Sequence, residues 1–284
     1  MKPTARLIVL VFAIAAQAQD LSNFTKLLVP VLNMNPITGA NGSKFSTTFG
    51  LFAYGRTVSY YPTGASSEAP VVGKTLANGR MLYVPAWEAP VVAKGRFVFV
   101  QPDAENLPFF ETLRATAPDG SIATTPLPIV RNRDTTTGIS TFIDVPVTPM
   151  YGPLDPAAPH GTGPFLGYAE RQTLRIYDFD STGRLEVNVR LYWGTSLDLG
   201  VREEHRISVS QRDAADPSYP FYAEVNLGGL FQNHWCYPST PQPCGSFPAI
   251  IEVEPLTPGI PYYAFISTTD NQTNHVAVFT RREQ

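Results

Sequence analysis

Residues 185–193 read LEVNVRLYW. Leu185, Val187, Val189, Leu191 and Trp193 fall on one side of an alternation, and Glu186, Asn188, Arg190 and Tyr192 on the other. A period of two sorts apolar from polar side chains only in a strand, where neighbours point to opposite faces. The segment therefore reads as a half-buried strand, and the chain around it repeats the pattern. Further strands are expected over 27–33, 45–54, 57–61, 81–84, 96–100, 139–145, 173–179, 204–210, 249–254, 262–268 and 275–280. Weaker patterns lie at 109–115 and 221–227. Residues 262–280 read as a hairpin: YYAFIST, a polar TDNQTN turn, then HVAVFT. Helical periodicity is nearly absent; 103–107 or 211–216 have room for a single helical turn.

Turn signals punctuate these runs: ANGS at 40–43, ANGR at 77–80, PDGS at 118–121 and STGR at 181–184. With 27 Pro and 21 Gly, turns must be frequent. Many short strands joined by such turns point to an all-β sandwich or barrel. Residues 149–167, PMYGPLDPAAPHGTGPFLG, break the texture with five Pro and four Gly. Proline cannot donate to a central ladder, so this stretch reads as a linker. The expected plan is two β-sandwich domains in tandem, immunoglobulin-like or jelly-roll-like, at 19–148 and 168–284. Each half opens on an aromatic-rich strand followed by a Gly-Arg turn (Gly55-Arg56, Gly183-Arg184), as diverged copies would. A single larger sandwich with a loop at 149–167 is the competing architecture.

The amino terminus carries its own signal. Lys2 and Arg6 precede the apolar run LIVLVFAIAA at 7–16, and AQA follows at 16–18. A basic start, an apolar middle and a small-residue site form a secretory signal peptide cut after Ala18. Ten helical residues rise only ~15 Å, about half of a ~30 Å hydrocarbon core. No later stretch is long and apolar enough to span a membrane. The mature chain is thus expected outside the cytoplasm: secreted, periplasmic or at the cell surface. Its leader takes away two basic residues and no acid, leaving 19 basic against 24 acidic side chains, a net −5. That balance excludes the strongly basic footprint of a nucleic-acid partner.

Candidate sites are few. Cys236 and Cys244 enclose a loop stiffened by Pro238, Pro241 and Pro243, and an exported pair tends to close into a disulfide. The chain-entropy account gives such a loop about 2.6 kcal/mol. Their spacing does not suit the usual zinc sets. Asp178 and Asp180, in YDFDSTG before Gly183, allow two readings. Hard carboxylate oxygens before a glycine turn can bind calcium, whereas turn-proximal Asp side chains also cap backbone groups. Glu203, Glu204 and His205 are adjacent, so in a strand Glu204 and His205 face opposite ways and read as surface charge. A GxSxG nucleophile, a phosphate loop and a dinucleotide fingerprint are missing from the sequence. Trp235, flanked by His234 and Tyr237 beside the cysteine loop, is the best candidate for an exposed ligand-stacking aromatic. NFT at 23–25, NGS at 41–43 and NQT at 271–273 match the glycosylation pattern, but the Ala-rich leader suits a bacterium, where no glycans are expected.

Three runs carry a resemblance: PLPIVRNRD at 126–134 with FIDVPV at 142–147, RQTLRIYDFD at 171–180, and the 262–280 hairpin. They resemble uncharacterised bacterial exported proteins, which implies export and paired β-sandwich-like units and carries over no catalytic or binding residue. Three functions remain open. The leading one is a non-enzymatic extracytoplasmic protein with a structural or interaction role, its partner a glycan or an envelope protein. The second is a carbohydrate-binding module. The third is a secreted hydrolase whose site is assembled from distant residues. Apart from calcium at Asp178 and Asp180, no cofactor is expected.

Overall fold

The computed structural model describes residues 24–33, 36–39, 42–52, 57–61, 71–74, 81–83, 92–100, 102, 105–147, 170–215, 218–231, 247–270, 273 and 275–282. The described chain is all-β. Its strands are β1 (Thr25–Asn33), β2 (Ile37–Thr38), β3 (Lys44–Phe52), β4 (Thr57–Tyr61), β5 (Val71–Lys74), β6 (Met81–Tyr83), β7 (Val92–Val100), β8 (Phe109–Thr116) and β9 (Ile122–Leu127). Then follow β10 (Thr141–Val147), β11 (Glu170–Asp178), β12 (Glu186–Trp193), β13 (Val201–Ser208), β14 (Phe221–Asn226), β15 (Phe247–Pro255), β16 (Tyr262–Asp270) and β17 (Val276–Phe279). Single helical turns form at Asn132–Asp134, Leu197–Leu199 and Leu227–Leu230. Residues 211–215 hold no such turn; Gln211 instead bridges Tyr222. The two weaker strand patterns are real strands, β8 and β14. The short strands β2, β5 and β9 lacked a clear alternation, and β9 is interrupted by Pro126.

All pairing between these strands is antiparallel, in four sheets. The first has the order β1-β7-β4-β5 and the second β2-β3-β8-β9, with β6 also on β3. The third is β14-β11-β16-β17 and the fourth β10-β15-β12-β13. The expected hairpin is present as β16 and β17, registered from Ile266↔Phe279 to Thr269↔Val276. Strand β10 falls in the segment assigned above to a first domain, yet it pairs along its whole length with β15.

Alternation decides what each sheet buries. Leu185, Val187, Val189 and Leu191 are fully buried, as the opening stretch requires. They join Leu174 and Ile176 of β11, Ile251 and Val253 of β15, and Ala264 and Ile266 of β16 in one aliphatic core between the third and fourth sheets. Each such Leu, Ile or Val contributes about 1.5–3 kcal/mol when fully buried. Trp193 closes the row, partly buried against this core.

Strand β1 is apolar on both faces, and each face has a different neighbour. Leu27 and Val29 pack with Phe49, Leu51, Val98 and Val100 between the first and second sheets. Leu28 points the other way and meets Phe97, Tyr177, Phe179 and Phe265, joining the first sheet to the third. This second contact is aromatic: Phe97 sets its edge on Phe179 at 5.5 Å, and Tyr177 stacks on Phe265 at 6.3 Å. Gly95 makes the approach possible. A Cβ there would stand 2.7 Å from the Tyr177 ring and 3.1 Å from Pro220.

Candidate functional site

The Asp178–Asp180 turn separates the two expected carboxylates. Asp178 ends β11 and is fully buried, whereas Asp180 is exposed. Asp178 Oδ1 accepts the Asp180 N–H at 3.0 Å. Its Oδ2 accepts the Thr182 N–H at 2.8 Å, the Thr182 hydroxyl at 2.7 Å and the Gly183 N–H at 2.8 Å. Ser181 and Gly183 both take left-handed backbone, φ 54° and 65°, which folds those N–H groups back onto the carboxylate. The geometry is that of a buried turn cap. A cation does stand nearby, the ammonium of Lys26. It donates to the Phe179 carbonyl and lies 4.6 Å and 4.7 Å from the Phe97 and Phe179 ring centroids. Burial lowers its pKa, opposed by the charges of Asp180 and Asp178. Among the described residues no group of three or more His, Cys, Asp or Glu could hold a metal.

Glu203 and His205 share one face of β13, with His205 Nε2 2.7 Å from Glu203 Oε1. Glu204, on the other face, pairs with Arg190. The structure thus splits this triplet as strand geometry requires. Trp235, His234, Tyr237, Cys236, Cys244, the linker at 149–167 and the leader at 1–18 lie outside the described residues.

A feature the sequence did not single out lies where the third sheet meets the first two. It is a cleft of about 430 Å³, within the ~300–1,000 Å³ range of small-molecule sites. Its polar wall is a cross-strand ladder. Arg171, Thr173 and Arg175 alternate along β11, opposite Thr269, Ser267 and Phe265 of β16. Its facing wall is apolar, formed by Val31, Phe45, Leu113 and Leu127; Val276 of β17, paired with Thr269, meets them from the third sheet. All five belong to a small cluster joining β8 and β9 to β17.

Charge is concentrated at one end. Glu224 of β14 accepts Lys94 Nζ on one oxygen and Arg175 Nε on the other, both at 3.0 Å. Arg175 Nη1 also donates to the Ser267 hydroxyl at 2.6 Å. Burial pushes the Glu224 pKa up, but Arg175 and Lys94 outweigh it and hold the carboxyl below its usual value. Asp213 accepts the Lys94 backbone N–H at 2.6 Å and the Tyr222 hydroxyl at 3.0 Å. Burial and that bond push the Tyr222 phenol up to about 12.

The backbone here is irregular. Val31 has φ 57°, a conformation that is an outlier for a β-branched residue. The β1–β7 ladder runs through Pro30↔Gly95 and resumes at Leu32↔Ala93, but Val31 and Lys94 form no pair. The Lys94 N–H goes to Asp213 instead, and its carbonyl accepts the Tyr177 hydroxyl. Nearby, Glu111 of β8 is 1% exposed. Among the described residues neither of its oxygens has a hydrogen-bond partner, and burial holds its carboxyl well above the usual range.

The period-two row Arg171, Thr173, Arg175 is legible in RQTLR, but its significance is not. Lys94 lies 130 residues from its partner Glu224, and no local pattern announces that meeting. Known protein families, curated proteins and solved structures offer no match to this chain.

Proposed function

We propose that this is an extracytoplasmic, non-enzymatic binding protein that receives its ligand in the cleft between the third sheet and the first two. In this reading the chain forms two β-sandwich units, one from β1–β9 and one from β10–β17. The pairing of β10 with β15 supports a division before residue 141 rather than within 149–167. The leader at 1–18 supports export to the periplasm, the cell surface or beyond.

One observation carries the choice of binding over catalysis. Each oxygen of the two carboxylates in the cleft already accepts a donor. A general base needs a carboxylate within reach of a substrate proton, with a pKa tuned near the working pH. Glu224 is shifted the other way. What the cleft presents is a fixed polar ladder facing an apolar wall, which is the make-up of a recognition site.

The test uses the protein expressed with its own leader in a bacterium. The chain should be recovered outside the cytoplasm with Gln19 as its first residue. A thermal-shift screen should then find a small molecule that raises Tm and is returned unchanged. Recovery with residues 1–18 still attached defeats export. A ligand altered by the wild type but not by Glu224→Gln defeats the non-enzymatic reading.

A further inference from the structure

Resting on that reading of the cleft, we propose that its ligand is an amphipathic organic acid: an apolar body carrying one carboxylate. The two walls differ in kind, and each selects part of the molecule. Val31, Phe45, Leu113 and Leu127 offer hydrocarbon and no hydrogen bond from their side chains. An apolar body laid against them leaves water, whereas a fully hydroxylated sugar would lose hydrogen bonds on that side.

The opposite wall selects the head group. Among the described residues, Lys94, Arg171 and Arg175 bring positive charge to the cleft, and Asp213 and Glu224 bring negative charge. The anions are already engaged. Lys94 and Arg175 have donors to spare: among the described residues Lys94 Nζ makes one side-chain hydrogen bond out of three, and Arg175 Nη2 makes none. Yet the Arg175 side chain is only 15% exposed. Its stem is fixed by Glu224 and Ser267, so the free edge of the guanidinium is aimed before any ligand arrives. The fixed, charged N–H donors of Nη2 suit a carboxylate oxygen, with which they form a charge-assisted hydrogen bond. The Thr173 and Thr269 hydroxyls lie along the same ladder and can donate to it. A cationic head group would be repelled by the guanidinium edge of Arg175, and a neutral one would leave that edge without an anionic partner.

Isothermal titration of the mature protein with decanoate, decan-1-ol and decyltrimethylammonium tests this. Decanoate should bind saturably, one per chain. It should bind about tenfold or more tightly than the alcohol, and the ammonium more weakly than both. Arg175→Gln should bring decanoate down to the level of the alcohol while leaving the alcohol unchanged. Thr173→Trp, which fills the cleft from the middle of β11, should abolish binding of both. Equal affinity for acid and alcohol, or no binding of any probe by the wild type, overturns the acid. Decanoate binding that survives Thr173→Trp overturns it too. If a neutral sugar stabilises the wild type and Thr173→Trp removes that effect, the cleft stands as a binding site and only the acid falls. If Thr173→Trp leaves the effect of every stabilising ligand intact, the functional reading falls with it.

Discussion

The core between the third and fourth sheets and the core between the first and second obey different rules. The former is lined by aliphatic side chains, with Leu174, Ile176, Val187, Val189, Ile251 and Ile266 fully buried, and its buried polar members Gln172, Thr268 and Thr141 are uncharged. The latter takes in charge. Arg96 lies opposite Val29 and Glu111 opposite Phe49, and directly opposed residues share a face. Both therefore point with their apolar neighbours into the core, 5% and 1% exposed. Val31, in left-handed backbone, belongs to the same half. The regular half supplies stability. The irregular half forms the apolar wall of the cleft, where strain and buried charge are commonly kept for function.

The largest expected effect tests the regular half. Asp178→Ala removes the acceptor for three backbone N–H groups and one hydroxyl at the β11–β12 turn. Unmet buried donors cost about 1–3 kcal/mol each, and partial exposure of this turn reduces that, so a loss of about 3 kcal/mol is expected in urea denaturation. Asp180→Ala, at an exposed position, should lose less than about 0.5 kcal/mol. Calcium should leave the Tm of the wild type unchanged. A saturable rise in Tm with calcium, absent from Asp178→Ala, would restore the metal reading of this turn.

The same contrast explains what could be read in advance. LEVNVRLYW and YYAFIST alternate cleanly because both strands put one face into an aliphatic core. In FFETLRAT the inward row is Phe109, Glu111, Leu113 and Ala115, and a glutamate in its middle weakens the pattern. The capping role of Asp178 was one of two open readings, since a turn before Gly183 suits either. Pro and Gly mark 149–167 in the sequence, whereas strand pairing is non-local, and nothing within 141–147 states that its partner is 247–255. The cleft was illegible for the same reason: its polar wall comes from β11, β14 and β16, and most of its apolar wall from β1, β3, β8 and β9.

A smaller effect, of opposite sign, tests the irregular half. Glu111→Met replaces a buried acid that has no hydrogen-bond partner among the described residues by an apolar side chain of similar length, and should stabilise the protein by about 1–2 kcal/mol near neutral pH. The gain must depend on pH. Burial raises the folded-state pKa above the ordinary 4.5. Above that ordinary value the unfolded chain releases the proton while the folded chain retains it, so stability falls as pH rises, until the folded pKa is passed. Below it both states are protonated and this contribution vanishes. The advantage of Glu111→Met should therefore be small near pH 4 and grow toward pH 8, read as a widening Tm difference. A constant difference would mean that Glu111 does not titrate differently on folding, and the contrast between the cores would lose its charged member.

The smallest effect concerns Val31. Left-handed backbone costs an L-residue roughly 1–2 kcal/mol, more for one branched at Cβ, and glycine escapes that cost. Against this, Val31→Gly gives up a half-buried side chain and about 0.5–1 kcal/mol of backbone entropy. The terms nearly cancel, so the variant should stay within about 1 kcal/mol of the wild type. Val29→Gly, two residues away on the same strand, has no strain to relieve and a fully buried side chain to lose. It should cost about 3 kcal/mol or more. Strand, sheet and substituted residue are the same, so the difference between the two variants reports the strain together with the lesser burial of Val31. If Val31→Gly costs as much as Val29→Gly, the left-handed turn at the cleft stores nothing. The break in the β1–β7 ladder would then be maintained by the Asp213 and Tyr177 bonds to Lys94 alone.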